Sequence, residues 1–226
     1  MGRAGGRPPS PALFTVRNQM ALEVCEIFYS IQGESTRAGE PCIFIRLTGC
    51  NLRCAYCDTG YALEPGALME IPEILRRVRG LRCDLVEVTG GEPLIQPETP
   101  SLIDGLLDAG HTVLLETNGS MDIGVVDPGC VRIVDIKCPS SGMAGQNYLE
   151  NLKKLKTRDE LKFVIGNRED YEFALNVLST FPAVPCKINF SPVFGSIEPR
   201  SLAEWILEDH LPVRLNLQLH KMIKMP

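Results

Sequence analysis

The chain has 226 residues, 44% hydrophobic and 23% charged, with 20 Gly and 17 Pro, a balance that excludes a disordered, fibrous or collagen-like protein. Its 23 Lys and Arg against 28 Asp and Glu leave a formal charge of −5, without the basic footprint of a protein whose main task is to bind nucleic acid. No apolar run approaches the roughly 20 residues of a membrane span, so small-molecule chemistry is the function class to pursue.

In chain order, Met1 to Gln19 is a basic, Pro-containing stretch with Arg3, Arg7 and Arg17 and no acid. It lacks the apolar core of a secretory signal and is expected to be a disordered or non-native tail, with Met20 a second possible start and residues 20–226 a single domain. From Leu22 onward, short apolar runs alternate with amphipathic stretches. Strands are expected at Cys42–Leu47, Leu85–Val88, Thr112–Leu115, Val131–Ile136, Leu161–Ile165, Lys187–Phe190 and Val213–Leu219. Helices are expected at Ile71–Val78, Thr99–Leu107, Tyr171–Leu178 and Ser201–Leu207, where apolar residues recur at three and four. Alternation of this kind predicts an α/β fold with a buried, mostly parallel sheet.

In such folds function collects at the carboxyl ends of the strands. Here those ends read Thr48-Gly49-Cys50, Thr89-Gly90-Gly91-Glu92-Pro93, Glu116-Thr117-Asn118-Gly119 and Asp135-Ile136-Lys137. Nine cysteines with no secretory signal point to a reducing, cytoplasmic compartment, in which clustered thiols mean metal or catalysis. Cys50, Cys54 and Cys57 form a CxxxCxxC cluster in a loop directly after a strand. No histidine lies within twenty residues and no second CxxC half is present, so a four-ligand structural zinc site lacks its partner. Three soft thiolates instead suit an iron–sulfur cluster with one iron left open. Cys25, Cys42, Cys83 and Cys186 stand in apolar context and read as small buried hydrophobes, while Cys138 follows a candidate site lysine and stays undecided.

The cysteine spacing together with Gly90-Gly91-Glu92-Pro93 resembles the radical S-adenosylmethionine superfamily. Glycines at 90 and 91 allow close backbone approach, and Pro93 stiffens the exit. The resemblance implies a [4Fe-4S] cluster on the three cysteines whose open iron takes S-adenosylmethionine, reduced by an external donor such as flavodoxin, for deoxyadenosyl radical chemistry. Because 207 residues is short for a full (β/α)8 barrel of about 250, the expected fold is a partial, incomplete TIM-like barrel with trimmed helices.

Within that superfamily, Glu26-Ile-Phe-Tyr-Ser-Ile-Gln-Gly-Glu34, Arg46, Cys57-Asp-Thr59, Glu116-Thr-Asn-Gly119 and the ending Gln218-Leu-His-Lys-Met-Ile-Lys-Met-Pro226 are similar to the 7-carboxy-7-deazaguanine synthase family. That resemblance implies conversion of 6-carboxy-5,6,7,8-tetrahydropterin to 7-carboxy-7-deazaguanine with loss of ammonia, on the way to queuosine and other 7-deazapurines. It also implies a homodimer that binds no nucleic acid and no membrane. Thr59 matches a magnesium ligand, and Mg²⁺ accepts such a site because it keeps several waters and takes substrate oxygens. Substrate contacts fall on Ile31, Gln32, Gly33, Glu34, Arg46, Thr89, His220 and the α-carboxylate of Pro226. Arg46 would grip a carboxylate through two parallel donors. Cofactor contacts fall on Ala55, Tyr56 and Cys57, on Gly91 and Glu116, on Asp135, Ile136 and Lys137, and on Ser191, Pro192, Val193 and Phe194. In two places the sequence departs from the family pattern: Asp135-Ile136 stands where Ser-Pro is seen, and of Gln-Pro-Met-Asp only Pro192 is kept. Two alternatives remain at this stage, a glycyl-radical-enzyme activase and a zinc-stabilised binding module.

Overall fold

The computed structural model describes residues 20–225; the tail before Met20 and Pro226 lie outside the described residues. Strand β1 (Ala21–Ile31) pairs antiparallel with β2 (Pro41–Leu47) on one side and with β3 (Ala67–Glu70) on the other. From β2 onward every pairing is parallel, through β4 (Leu85–Gly90), β5 (Thr112–Thr117), β6 (Val131–Ile136), β7 (Glu160–Ile165), β8 (Lys187–Pro192) and β9 (Arg214–Leu215). The nine-stranded order β3-β1-β2-β4-β5-β6-β7-β8-β9 leaves β3 and β9 as edges, which is an incomplete, open barrel of the expected kind.

Helices α1 (Ile71–Leu81) and α2 (Thr99–Asp108) precede β4 and β5, and α3 (Arg168–Thr180) and α4 (Pro199–Glu208) precede β8 and β9. Each forms where the sequence supplies a start and an apolar face. In α1, Pro72 fits the first turn, where its missing N–H costs nothing, and Ile71, Ile74 and Val78 turn one stripe inward. In α3, the Asn167 side chain accepts from the Asp170 N–H at 3.0 Å, and Glu169 and Asp170 add negative charge to the first turn.

Strand alternation then separates two interiors. Outward residues such as Ile43, Ile45, Val86, Val88, Leu115, Val134, Leu161 and Phe163 join the helices in one apolar core. Inward residues Cys42, Phe44, Leu85, Leu114 and Ile133 make a small apolar floor at the amino ends of the strands. Above that floor the inward positions are polar: Glu87, Glu116, Asp135, Glu160, Lys162 and Asn189.

Two expectations change. Strands β1 and β3 were not anticipated; in β1 a bulge between Val24 and Glu26 breaks the alternation, and β3 has only four residues. The last strand, expected over Val213–Leu219, is only Arg214–Leu215; Asn216 still bonds the Phe190 carbonyl at 2.9 Å and Ser191 Oγ at 3.0 Å, but the chain then turns into the short helix α5 (Leu219–Ile223).

The connections β5–β6 and β6–β7 carry only 3-10 turns, so side chains must hold what helices cover elsewhere. Asn151, fully buried, accepts from the Ile123 N–H at 3.1 Å and donates to the carbonyls of Met121 and Gly119 at 2.7 and 3.2 Å. Asp159 accepts from the Arg132 and Lys156 N–H groups at 3.0 and 2.8 Å and pairs with the buried Arg132 guanidinium, which also donates to the Lys154 carbonyl at 3.0 Å. Removing one partner of a buried ion pair strands the other, at a cost of about 3–5 kcal/mol. Accordingly, Asp159→Ala should lower the urea unfolding free energy by about that much, while exposed Glu150→Ala should change it by about 0.5 kcal/mol or less.

Candidate active site

A cavity of about 680 Å³ opens at the carboxyl ends of the parallel strands. The cysteine loop forms one wall. After β2 the chain turns through Gly49 at φ +82, a left-handed conformation that favours glycine, and Cys50 follows directly. The loop is pinned by its backbone: Gly49 N–H to the Ala62 carbonyl at 2.8 Å, Glu92 N–H to the Gly49 carbonyl at 2.9 Å, and Ala55 N–H to the Ser141 carbonyl at 3.0 Å. Cys50, Cys54 and Cys57 all face the cavity. Leu52 N–H and Asn118 Nδ2 point at Cys50 Sγ from 3.4 and 3.7 Å, donors suited to a thiolate. Burial raises the Cys54 thiol, and the charge of Lys137 acts against that rise.

Gly91 presses on this loop. A Cβ there would fall inside contact distance of the Gly49 carbonyl and lie 2.7 Å from Cys50 Cβ, so glycine is required by backbone-to-backbone approach. Glu92 is wholly buried and accepts from Leu94 N–H at 3.0 Å, Asn118 N–H at 2.6 Å and Thr117 Oγ1 at 2.8 Å. It staples the end of β4 to the end of β5 and so orients Asn118 toward the cysteines. Burial pushes its carboxyl up, opposed by these three donors.

The opposite wall is ionic. On β7, Lys162 places Nζ 2.5 Å from Glu34 Oε2 and 2.7 Å from Glu116 Oε1. Burial would raise the Glu34 carboxyl, yet Lys162 and a hydrogen bond from Gln218 Nε2 at 2.9 Å hold it below the usual range. Deeper, burial together with the charges of Glu116 and Glu34 pushes the Glu87 carboxyl well above that range, and it accepts a hydrogen bond from Gln32 Nε2. Gln32 Oε1 accepts in turn from Glu34 N–H at 3.0 Å. Asp135 Oδ2 takes Lys137 Nζ at 2.6 Å, while buried Asp135 Oδ1 has no hydrogen-bond partner among the described residues.

Arg46 faces the cavity, 13% exposed, with Nε donating to Glu26 Oε1 at 2.9 Å and the guanidinium held near Phe28 and Tyr61. The mouth is crossed by the C-terminal segment. Leu219 N–H bonds the Gly33 carbonyl at 2.8 Å, and the His220 ring packs so tightly on Gly33 that no Cβ fits there. Burial lowers the His220 imidazole, against the pull of Glu34. Lys221 reaches the cysteine loop at Asp58 Oδ2, 2.6 Å away, and lies 5.5 Å from the Phe194 ring centroid.

Residues 44–132 match the Radical SAM superfamily. The 7-carboxy-7-deazaguanine synthase of Chlorobaculum tepidum is 49% identical over 209 residues, covering 91% of this chain and 95% of the relative. That of Koribacter versatilis is 44% identical over 222 residues, covering 91% and 98%. The crystal structure of QueE from Escherichia coli superposes with a TM-score of 0.75 at 25% identity, over 89% of this chain and 95% of that one. This chain belongs to the 7-carboxy-7-deazaguanine synthase family.

For a member of this family the superfamily implies a [4Fe-4S] cluster and S-adenosylmethionine, and the donors present fit both. The three thiols line one cavity, and three soft thiolates that leave one iron open suit such a cluster. The unpartnered Asp135 Oδ1 is a buried acceptor awaiting a donor.

Most residues expected from the sequence come together here. Ile31, Gln32, Gly33, Glu34, Arg46, Tyr56, Thr59, Gly91, Glu116, Asp135, Lys137, Val193, Phe194 and His220 line the cavity beside the three cysteines. Tyr56 is half-buried and its hydroxyl donates to the Val164 carbonyl at 3.4 Å, tying the loop to β7. Ala55, Thr89, Ile136, Ser191 and Pro192 do not line it. Ile136 alternates outward into the helix-side core, leaving only its backbone for a ligand, and Ser191 is engaged by Asn216. Glu87 and Lys162 were not anticipated, and Asn118, Gln218 and Lys221 stood only within motifs without a role. The sequence did carry a sign of two of them, since Glu87 and Lys162 are charges inside otherwise apolar strands.

Gly91→Ala should displace the Cys50 backbone and at least halve iron incorporation on anaerobic reconstitution, with far-ultraviolet circular dichroism unchanged. Normal iron content would contradict the close-approach argument.

Proposed function

We propose that this protein converts 6-carboxy-5,6,7,8-tetrahydropterin to 7-carboxy-7-deazaguanine with loss of ammonia, a carbon–nitrogen lyase step in 7-deazapurine (queuosine) biosynthesis. The observation that carries the proposal is a single cavity in which a CxxxCxxC loop faces Arg46, Glu34 and Gln32 on the substrate side. Likeness over 91% of the chain to synthases named for this product supports it.

In this reading Cys50, Cys54 and Cys57 hold the cluster, which with S-adenosylmethionine supplies a carbon-centred radical able to take hydrogen from the substrate. Asp135, Lys137, Tyr56, Gly91 and the Val193–Phe194 segment face the cofactor. Arg46 offers the substrate carboxylate a planar donor pair, and Thr59, whose Oγ1 lies 3.8 Å from Cys57 Sγ, brings Mg²⁺ to that same carboxylate. Asp58 is the more charged neighbour, but it is occupied by Lys221. Gln32, Glu34 and His220, with the α-carboxylate of Pro226, accept from the pterin N–H groups. His220 and Lys221 of α5 form part of the cavity wall.

The same reading takes residues 20–226 as one domain with a tail before it, places the nine free thiols in a reducing cytoplasm, and adds a flavodoxin-type electron donor and a homodimer. Among the described residues no helix is long and apolar enough to cross a membrane.

Reconstituted protein given S-adenosylmethionine, reductant, Mg²⁺ and the carboxytetrahydropterin should form the deazapurine, detected by mass. Cluster-loaded protein that cleaves S-adenosylmethionine yet makes no such product would sink the assignment. Extending the chain by two glycines after Pro226 should raise KM for the pterin at least about tenfold, the scale of one charged hydrogen bond, and leave the S-adenosylmethionine Kd unchanged. Equal weakening of both would refute the terminal carboxylate role.

A further inference from the structure

Lys162 is the one lysine of β7, set inward and paired in register with Asp135 of β6 and Asn189 of β8. Its side chain is 8% exposed and lines the cavity. The ammonium joins two carboxylates from different parts of the chain: Glu34, in the segment after β1, and Glu116, on β5. Burial disfavours the lysine cation, but Glu116, Glu34 and Asp135 outweigh it and hold the group well above its ordinary range. A lysine held so firmly charged is no nucleophile. Its effect is on its neighbours.

Those neighbours form a crowded set of acids. Glu87 lies below and Asp135 beside them, so Glu34 and Glu116 need a countercharge, since like charges crowded in a buried site repel. The Lys162 ammonium meets the two acids on the cavity wall, Glu34 and Glu116, while Glu87 lies deeper and is bonded by Gln32. One further detail points outward. Glu34, Glu116 and Lys162 all line the cavity, so the paired carboxylates stand where a ligand would meet them.

We infer that Lys162 is a positioning residue for substrate: it holds Glu34 and Glu116 together as a pair of acceptors for the N–H donors of a reduced pterin ring. This inference rests on the functional reading above and adds to it the device that sets the charge of the ring-binding wall. It also assigns Glu116 to the substrate side, in place of the cofactor contact expected from the sequence.

The test compares wild type, Lys162→Met, Lys162→Arg and Glu116→Gln as full-length, cluster-reconstituted proteins. Iron content, S-adenosylmethionine Kd by equilibrium dialysis, and KM and kcat for the carboxytetrahydropterin are measured for each. In Lys162→Met, KM should rise roughly 10- to 100-fold, the range of a hydrogen bond to a charged group, with kcat falling less. Iron content and cofactor Kd should stay within about twofold of wild type, and Lys162→Arg, which keeps the cation, should recover part of the loss. Glu116→Gln changes size little and should raise KM in the same range, which decides the matter where Lys162→Met fails to fold. A KM within twofold of wild type in either folded variant, or loss of cofactor affinity equal to loss of substrate affinity, overturns the inference. Wild type that cleaves S-adenosylmethionine but forms no deazapurine refutes the underlying functional reading instead and takes this inference with it.

Discussion

Strand alternation in an open parallel barrel is the constraint on which everything else in this molecule depends. Each strand must be apolar toward the helices, and burying a Val, Leu or Ile there contributes about 1.5–3 kcal/mol. The inner face is under no such demand once the barrel is left open and wide enough to hold a ligand. This chain uses that freedom to place Glu87, Glu116, Asp135, Glu160 and Lys162 on inward positions. Isolated buried ions cost several kcal/mol each, so each of these acids is paired or held by donors. Glu160, for example, takes Thr36 N–H at 3.0 Å and Asn189 Nδ2 at 2.6 Å. The fold thereby spends stability from its outer core on a charged interior.

A second constraint acts at the rim, where two loops must touch without side chains between them. Gly91 lies against Gly49 and Cys50, and Glu92 ties the same turn to Thr117 and Asn118. Three strand ends, those of β2, β4 and β5, therefore move as one piece. A cysteine loop mounted on such a piece is preorganised, because the entropy of ordering it is met by folding rather than by ligand binding.

The sequence and the structure agree where a single physical rule governs. Val131–Ile136, buried on both faces, is a strand with the expected bounds, and Thr99–Asp108, which buries one stripe, is one residue longer than its periodicity suggested. Agreement fails where tertiary geometry decides. The bulge in β1 hid an 11-residue strand, and the turn of the chain into α5 after Asn216 shortened β9. At the site, spacing revealed the cysteines, Gly91 and Arg46, since those features are local. Lys162 was not singled out, and Gln218 and Lys221 stood only within the C-terminal motif without a role, because their meaning lies in partners far away in the chain: Glu34 for Lys162 and Gln218, and Asp58 for Lys221. Charges at Glu87 and Lys162 within buried strands were the legible clue, and alternation alone would have turned both inward.

Access to the cavity separates the remaining candidate chemistries. An enzyme that acts on a protein loop needs a mouth through which backbone can pass. Here α5 crosses that mouth, bonded at Gly33, packed through His220, and latched to Asp58 by Lys221. Asp58 directly follows a cluster cysteine, so the closing segment and the metal loop are joined by one ion pair. Burial and the hydrogen bond from Lys221 set the Asp58 carboxyl in opposite directions, and the lysine prevails to keep it below the usual range. A closure made of one short helix, one half-buried ion pair and one packed ring can open at modest cost to a small molecule, whereas a polypeptide would have to remove it altogether. What borders the site at α5 thus bears on access to it alongside what lines it.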